Sequence, residues 1–415
     1  MHTRLRKFLS AAITVLVTLI FLEVFLQIAA RVSPRLDFAL SLKQARHLDD
    51  DELVWRPHPG HPDHDRKGFR NARIPNEIKV LVLGDSQTYG TGVKRDETWV
   101  HQLGTVLKEP TYSMAYGGYG PLHSLILFDE ALELQPNEII EAMYTGNDLY
   151  DSYLLVYVNN RAPEHRSKDA VILDAIDVAE AEDPGAPKLP WLQKPQKEPQ
   201  AARRDTVATN SARGILSEHS RLYGFLRACR RVVTQATRGK EDAGLLWSKD
   251  WELTRDLALE RPDNFHVVEI DTFKTILTPQ YRRAALDTND PRVAEGLRLS
   301  LEAIREMNAT AYSLGITYRV LLIPTKELVF KELMEESDPL PASVAELSTA
   351  EEYVLETIKH FLEEENIPYL EVLPILRGCI KEGQQPYQIT PDGHPNRIGH
   401  RAIAEAVQSV MTETE

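Results

Sequence analysis

From residue 8 to residue 30 the chain is apolar almost without a break, interrupted only by Ser10, Thr14, Thr18, Glu23 and Gln27. A helix crosses a bilayer with about 20 such residues, so Phe8 to Ala30 predicts one spanning helix. A carboxylate is costly at the bilayer centre. Glu23 is therefore expected toward the far interface, with Phe8 to Leu22 deepest. Arg4, Arg6 and Lys7 stand before the span and favour an N-terminus on the inner side, although Arg31 and Arg35 weaken the asymmetry. A cleaved leader shares the basic start and apolar core. Neither Gln27-Ile28-Ala29 nor Ile28-Ala29-Ala30 offers a clean small-x-small cleavage site, so a retained anchor is the expectation.

Beyond residue 76 the pattern changes to short apolar runs separated by amphipathic stretches. Ile78 to Leu83, Thr111 to Ala115, Ile139 to Tyr144, Tyr318 to Ile323 and Ile367 to Val372 read as strands. Continuous rather than alternating apolar character marks strands buried on both faces. Val293 to Leu314, Val344 to Glu365 and the C-terminal tail read as helices, and strand followed by helix with crossover-length spacing predicts a parallel sheet. Between the third and fourth strands, Arg161 to Asp205 lacks periodicity and reads as a loop, and Gly214 to Val233 reads as an amphipathic helix through Ile215, Leu222, Phe225, Leu226, Cys229 and Val233. The expected organisation is an anchor at 1–30, a connector at 31–76, a first half-domain at 77–160, an inserted cap region at 161–290 and a second half-domain at 291–415.

The strand ends carry the chemistry. The first runs into Gly84-Asp85-Ser86-Gln87-Thr88-Tyr89-Gly90, which places a serine at the carboxyl edge of the sheet, where open α/β folds bind ligands. An Asp-Ser pair is also an ordinary helix cap, so the other strand ends decide. The second runs into Gly117-Gly118-Tyr119-Gly120 and the third into Thr145-Gly146-Asn147-Asp148. After the fifth comes Asp392-Gly393-His394-Pro395-Asn396.

This ordered set of Ser, Gly, Asn and Asp with His resembles the SGNH, or GDSL-type, hydrolase superfamily over about two thirds of the chain, with its core at 77–148 and 315–411. The resemblance implies a doubly wound, mostly parallel sheet of about five strands, flavodoxin-like in arrangement, and acyl-ester chemistry through a Ser-His-Asp triad. Carried onto this sequence, Ser86 is the nucleophile, His394 the base and Asp392 its orienter. The backbone of Ser86, Gly118 and the Asn147 amide are the oxyanion donors. Such a site needs all these types together: imidazole takes the hydroxyl proton, a carboxylate fixes the imidazole, and preorganised donors meet the developing oxyanion at about 3 to 4 kcal/mol each. Two positions depart from the family pattern. Thr145 stands where a glycine is usual, and a single residue separates Asp392 from His394 where two are usual.

Lys326 and Asp148 follow strand ends and are the candidate substrate-binding residues, each with a structural alternative: an ion pair for Lys326, a turn-holding hydrogen bond for Asp148 and likewise for Asp85. The mechanism calls for no cofactor and no metal. Pro57 to Asp65 contains three histidines and two aspartates, but Pro and Gly punctuate it without helical spacing, so a solvated connector is expected over a zinc site. His101 and His123 read as structural or surface residues.

Lys and Arg total 48 against 62 Asp and Glu, for a net charge of -14. That balance argues against a nucleic-acid partner. Two cysteines, Cys229 and Cys379, make no disulfide framework, though one bond between them stays open. The sequence therefore reads as a single-pass inner-membrane serine ester hydrolase with its catalytic domain facing the periplasm or cell exterior, acting on acyl esters of envelope carbohydrate or lipid. Two alternatives stand beside it. One is an O-acyltransferase modifying an exported polysaccharide, served by a membrane acyltransferase partner. The other is a non-catalytic polysaccharide-binding scaffold.

Overall fold

The computed structural model describes residues 2–41, 45–183, 220–227 and 250–413. Nine strands occur among them, in chain order β1 (His47–Asp50), β2 (Val54–Pro57), β3 (Val80–Gly84), β4 (Thr111–Ser113), β5 (Glu138–Tyr144), β6 (His266–Ile270), β7 (Phe273–Leu277), β8 (Thr317–Ile323) and β9 (Tyr369–Glu371). Five of them form one sheet in the order β4-β3-β5-β8-β9, and every neighbouring pair is parallel. Taken in chain order within that sheet, the arrangement is 2-1-3-4-5, the flavodoxin-like order. Its direction of winding reverses between β3 and β5, which is where such sheets open a ligand crevice.

The continuous apolar runs are explained by two-sided burial. Leu81, Leu83, Ile139, Met143, Val320 and Leu322 enter one core, while Val80, Val82, Ile140, Ala142, Leu321 and Ile323 enter the other. Successive side chains of a strand point to opposite faces, so no strand position is left for a polar residue without a special partner. Helices Pro291–Ser313 and Ala342–Glu364 cover the first face with residues such as Ile304, Met307, Val354 and Ile358. Helices Trp99–Leu107 and Arg397–Glu413 cover the second with Trp99, Leu103, Ile403 and Val407.

The chain divides into two compact units. One holds residues 1–48 and 57–68 with part of the stretch 191–244, of which 220–227 are described. The other holds 49–56, 69–190 and 245–415 and contains the sheet. In the first unit, residues 6–32 form a helix long and apolar enough to cross a membrane. Leu26 and Ala30 near its end are buried, as are Phe38 and Leu40 of the following helix. The Glu23 carboxylate accepts hydrogen bonds from the Ser220 hydroxyl at 2.8 Å and from the backbone N–H groups of Arg221 and Leu222, both at 2.9 Å.

Two expectations are corrected, and one element was not foreseen. Within the presumed loop from 161 to 205, Ala170–Glu182 is a helix, started by Asp169, whose carboxylate accepts from Val171 N at 2.8 Å. Ile172 and Ile176, one turn apart, pack on the core, a spacing hidden among acidic neighbours. The histidine-rich connector is not solvated: His58, His64 and Asp65 are buried. His58 Nδ1 accepts from Gly60 N at 2.8 Å, and its ring meets Phe38 edge-on. Finally, the segment 266–277 is an antiparallel hairpin, β6 with β7, turning at Asp271 with φ +50°. Of the helix expected at 214–233, residues 221–227 are helical; the rest, with Cys229 and the Pro-rich runs after residue 183, lies outside the described residues. Cys379 is a buried free thiol.

Candidate active site

Ser86 is delivered by strand, turn and helix. β3 ends at Gly84, whose φ of +146° and whose approach to the Ala142 carbonyl, 2.7 Å from where a Cβ would sit, leave room only for glycine. Asp85 then caps the short helix Ser86–Tyr89 by accepting from Gln87 N at 2.8 Å. Its other carboxylate oxygen accepts from the Ser86 hydroxyl at 3.1 Å.

His394 Nε2 lies 2.8 Å from the same Ser86 Oγ, a second acceptor within reach of its one proton. The His394 Nδ1 meets Asp392 Oδ1, which also accepts from the His394 backbone N–H at 3.0 Å. Burial alone would raise the Asp392 carboxyl; the hydrogen bond and charge of His394 outweigh it and bring the group down to about 2. Asp392 is thus ionised beside the imidazole. The one-residue spacing closes without difficulty because the backbone N–H and the ring of His394 both reach the same carboxylate oxygen.

Beyond β4, Gly118 adopts φ +81°, and the indole of Trp55 lies 3.0 Å from where its Cβ would be. Trp55 Nε1 donates to the Gly117 carbonyl at 3.3 Å, and the Tyr119 hydroxyl donates to the Trp55 carbonyl at 2.8 Å. A Cβ on Gly117 would lie 3.6 Å from Ser86 Cβ, so this glycine pair runs beside the serine. Beyond β5, the Asn147 amide donates to the Asp151 carboxylate and to Asp148 Oδ1 at 3.5 Å. A serine after the first strand of the sheet, a glycine pair after the second, an asparagine after the third and an Asp-His pair after the fifth thus gather at the carboxyl edge of a 2-1-3-4-5 sheet. This is the arrangement that the SGNH resemblance implies.

No family model matches the chain, and no curated protein does. Among solved structures, an acetylxylan esterase from Geobacillus stearothermophilus, a catalytic mutant, aligns over 80% of this chain and 93% of its own at 9% identity and a TM-score of 0.35. A GDSL-like lipase from Bacteroides thetaiotaomicron aligns over 81% and 88% at 10% identity and a TM-score of 0.31. A psychrotrophic esterase from Pseudoalteromonas sp. aligns over 81% and 97% at 9% identity and a TM-score of 0.31.

Within this SGNH arrangement both candidate substrate ligands take other roles. Lys326 is fully buried, and its ammonium donates to the carbonyls of Ile276 at 2.7 Å, Thr390 at 2.9 Å and Asp392 at 3.0 Å. All three protons are used, so none remains for substrate. Burial pulls its pKa down to about 8. Asp148 is also fully buried, and its carboxylate accepts from Tyr144 N at 2.7 Å, holding the turn after β5. Burial first, and then the neighbouring Asp85 charge, push it well above the usual carboxylate range.

The loop that bears Asp392 and His394, and the turn before Asn147, are held from several elements that sequence reasoning missed. Besides the Lys326 bonds, Thr275 of β7 donates to the Gln388 carbonyl at 2.8 Å and Gln87 donates to the Gly393 carbonyl at 3.4 Å. Arg282, from helix Pro279–Ala284, donates to the Gly146 carbonyl at 3.3 Å. Thr145 explains its own departure from the family pattern. Its hydroxyl bridges the Ile323 carbonyl at 3.3 Å and Glu351 Oε1 at 2.6 Å, tying the ends of β5 and β8 together where glycine would leave Glu351 short of a partner.

Proposed function

We propose that this chain is a serine ester hydrolase that works through an acyl-enzyme on acyl esters of cell-envelope carbohydrate or lipid. The observation that carries the reading is the continuous chain from Ser86 Oγ through both ring nitrogens of His394 to Asp392. In it, His394 Nε2 takes the Ser86 proton as Oγ attacks the ester carbonyl, and Asp392 stabilises the imidazolium that forms. The oxyanion meets the backbone N–H of Ser86 and of Gly118 and, once it releases its long bond to Asp148 Oδ1, the Asn147 amide. His394 then protonates the leaving alcohol, leaving acyl-Ser86, and activates water for the second half of the reaction. An acyltransferase would differ only in admitting a sugar hydroxyl in place of water. The apolar helix at 6–32 supports a membrane-anchored form, with the site in the periplasm or outside the cell.

The test is covalent labelling of the full chain in detergent by a fluorophosphonate, together with turnover of a small aryl acetate, with Ser86→Ala and His394→Ala as controls. Labelling and turnover that vanish in both variants are expected. Labelling with turnover only when an oligosaccharide acceptor is added would replace hydrolysis by acyl transfer. A folded protein that neither labels nor turns over would leave the non-catalytic scaffold as the reading.

A further inference from the structure

Arg282 is a buried cation that the mechanism above does not use. It is 8% exposed, yet it has no ion pair among the described residues, and its Nε is buried without a hydrogen-bond partner. Its guanidinium lies 5.4 Å from the ring centroid of Tyr144 and 4.7 Å from that of Tyr281. Burying a guanidinium without a direct ion pair is expensive, and here the cost is met by two aromatic faces, one carbonyl and the more distant charges of Glu327 and Asp392, which together keep the group charged despite its burial. Such a group persists where its position is needed.

Its position lies between the two catalytic loops. One side donates to the carbonyl of Gly146, the residue before Asn147. On the other, Nη2 stands 2.7 Å from where a Cβ on Gly393 would be, and Gly393 is the single residue between Asp392 and His394. Gly393 has no need of glycine for its backbone, since its φ is not positive. The space is what excludes a side chain.

We propose that Arg282 is a positioning residue that couples the turn carrying Asn147 to the loop carrying Asp392 and His394, and that Gly393 stays small to admit its guanidinium. The catalytic consequence rests on the serine-hydrolase reading above; the structural coupling does not. A shift of one loop then displaces an oxyanion donor and the general base together, and a misplacement near 1 Å costs on the order of 10²-fold in rate.

The experiment compares the full-length wild type with Arg282→Ala, Arg282→Lys, Gly393→Ala and the Arg282→Ala/Gly393→Ala double variant, each checked for a cooperative thermal transition. Expected for Arg282→Ala is a fall of about 10²-fold in kcat with KM changed by less than about threefold, the acid limb of the kcat profile displaced, and partial recovery in Arg282→Lys. Gly393→Ala is expected to be similarly impaired, and the double variant no worse than either single one, because both act on one contact. Losses that multiply in the double variant would overturn the proposal. So would a raised KM at unchanged kcat, which would make Arg282 a substrate ligand. Amide hydrogen exchange in 145–148 and 390–396 decides the coupling without any activity: faster exchange in both segments of Arg282→Ala is expected, and exchange unchanged in either overturns it even if the wild type proves inert.

Discussion

Asp392 illustrates how far a single residue could be followed from sequence alone. The motif placed it one residue short of its usual distance from the histidine, and the structure shows its carboxylate reaching the backbone N–H and the ring of His394 from that position. With the carboxyl at about 2, it is ionised at neutral pH, and the proposed mechanism uses it in that form. Asp392→Asn should therefore keep the fold but present the wrong partner to Nδ1, favouring the wrong tautomer. A loss of roughly 10⁴-fold in kcat is expected, measured with an aryl acetate at the same neutral pH for both proteins. A loss below about tenfold would mean that another group orients the imidazole. Ser86, Gly118 and Asn147 were legible because they follow strand ends, and His394 because it comes with Asp392 after the last strand, in a recurrent order. Arg282 and Trp55 were not, since a lone cation in an amphipathic stretch and a lone indole in a connector give no local signal. Lys326 was legible in place but not in role, because a sequence shows where a strand ends and not which carbonyls wait there.

At the scale of elements, the same logic separates what the apolar pattern revealed from what it concealed. The five sheet strands are runs buried on both faces, and their alternation into two cores is what makes them conspicuous. The hairpin of β6 and β7 was missed because His266, Glu269 and Lys274 break its runs, although Thr275 donates to the Gln388 carbonyl and the Ile276 carbonyl accepts from Lys326, which also holds the loop bearing Asp392 and His394. Glu141 is the exception inside a central strand. It lies between Ile140 and Ala142 on β5, fully buried, with Oε1 accepting from the Ser124 hydroxyl at 3.1 Å and Oε2 without a partner. Burial, with the nearby Asp85 charge, raises it to about 8. The native state thus binds its proton more tightly than the unfolded chain, whose carboxyl titrates near 4.3. Between those two values the native state holds more protons, so stability falls as pH rises from about 4.5 toward 8. Glu141→Gln removes that ionisation while keeping an acceptor for Ser124. Its thermal midpoint should match wild type near pH 4.5 and exceed it increasingly toward pH 8. A difference independent of pH would show that the carboxyl is not held neutral.

At the scale of the molecule, the first unit determines whether the N-terminal helix is a removable leader or a permanent part of the protein. A leader would contribute nothing to the mature fold, yet Leu26 and Ala30 are buried here. Glu23 does more. The first N–H groups of a helix lack intrahelical acceptors, and its carboxylate takes those of Arg221 and Leu222 while also accepting from Ser220. Gln27, one turn on, donates to the same carboxylate at 2.8 Å. Phe38, just beyond, packs edge-on against His58 and His61, so the helix end, the following turn and the histidine-rich connector form one hydrophobic and hydrogen-bonded body. Cleavage after Ala30 would strip that body of its buried apolar face and uncap the helix at 221–227. The acid that looked awkward in a spanning segment acquires a reason, since it stands where the apolar helix meets the rest of its unit. The mature protein is accordingly expected to keep this helix. Its intact mass should include the residues through Val32, and it should remain with the membrane after an alkaline carbonate wash. An N-terminus beginning just past Ala30 in the isolated protein would defeat this reading, and Glu23→Leu should make 220–227 more susceptible to proteolysis while leaving membrane association unchanged.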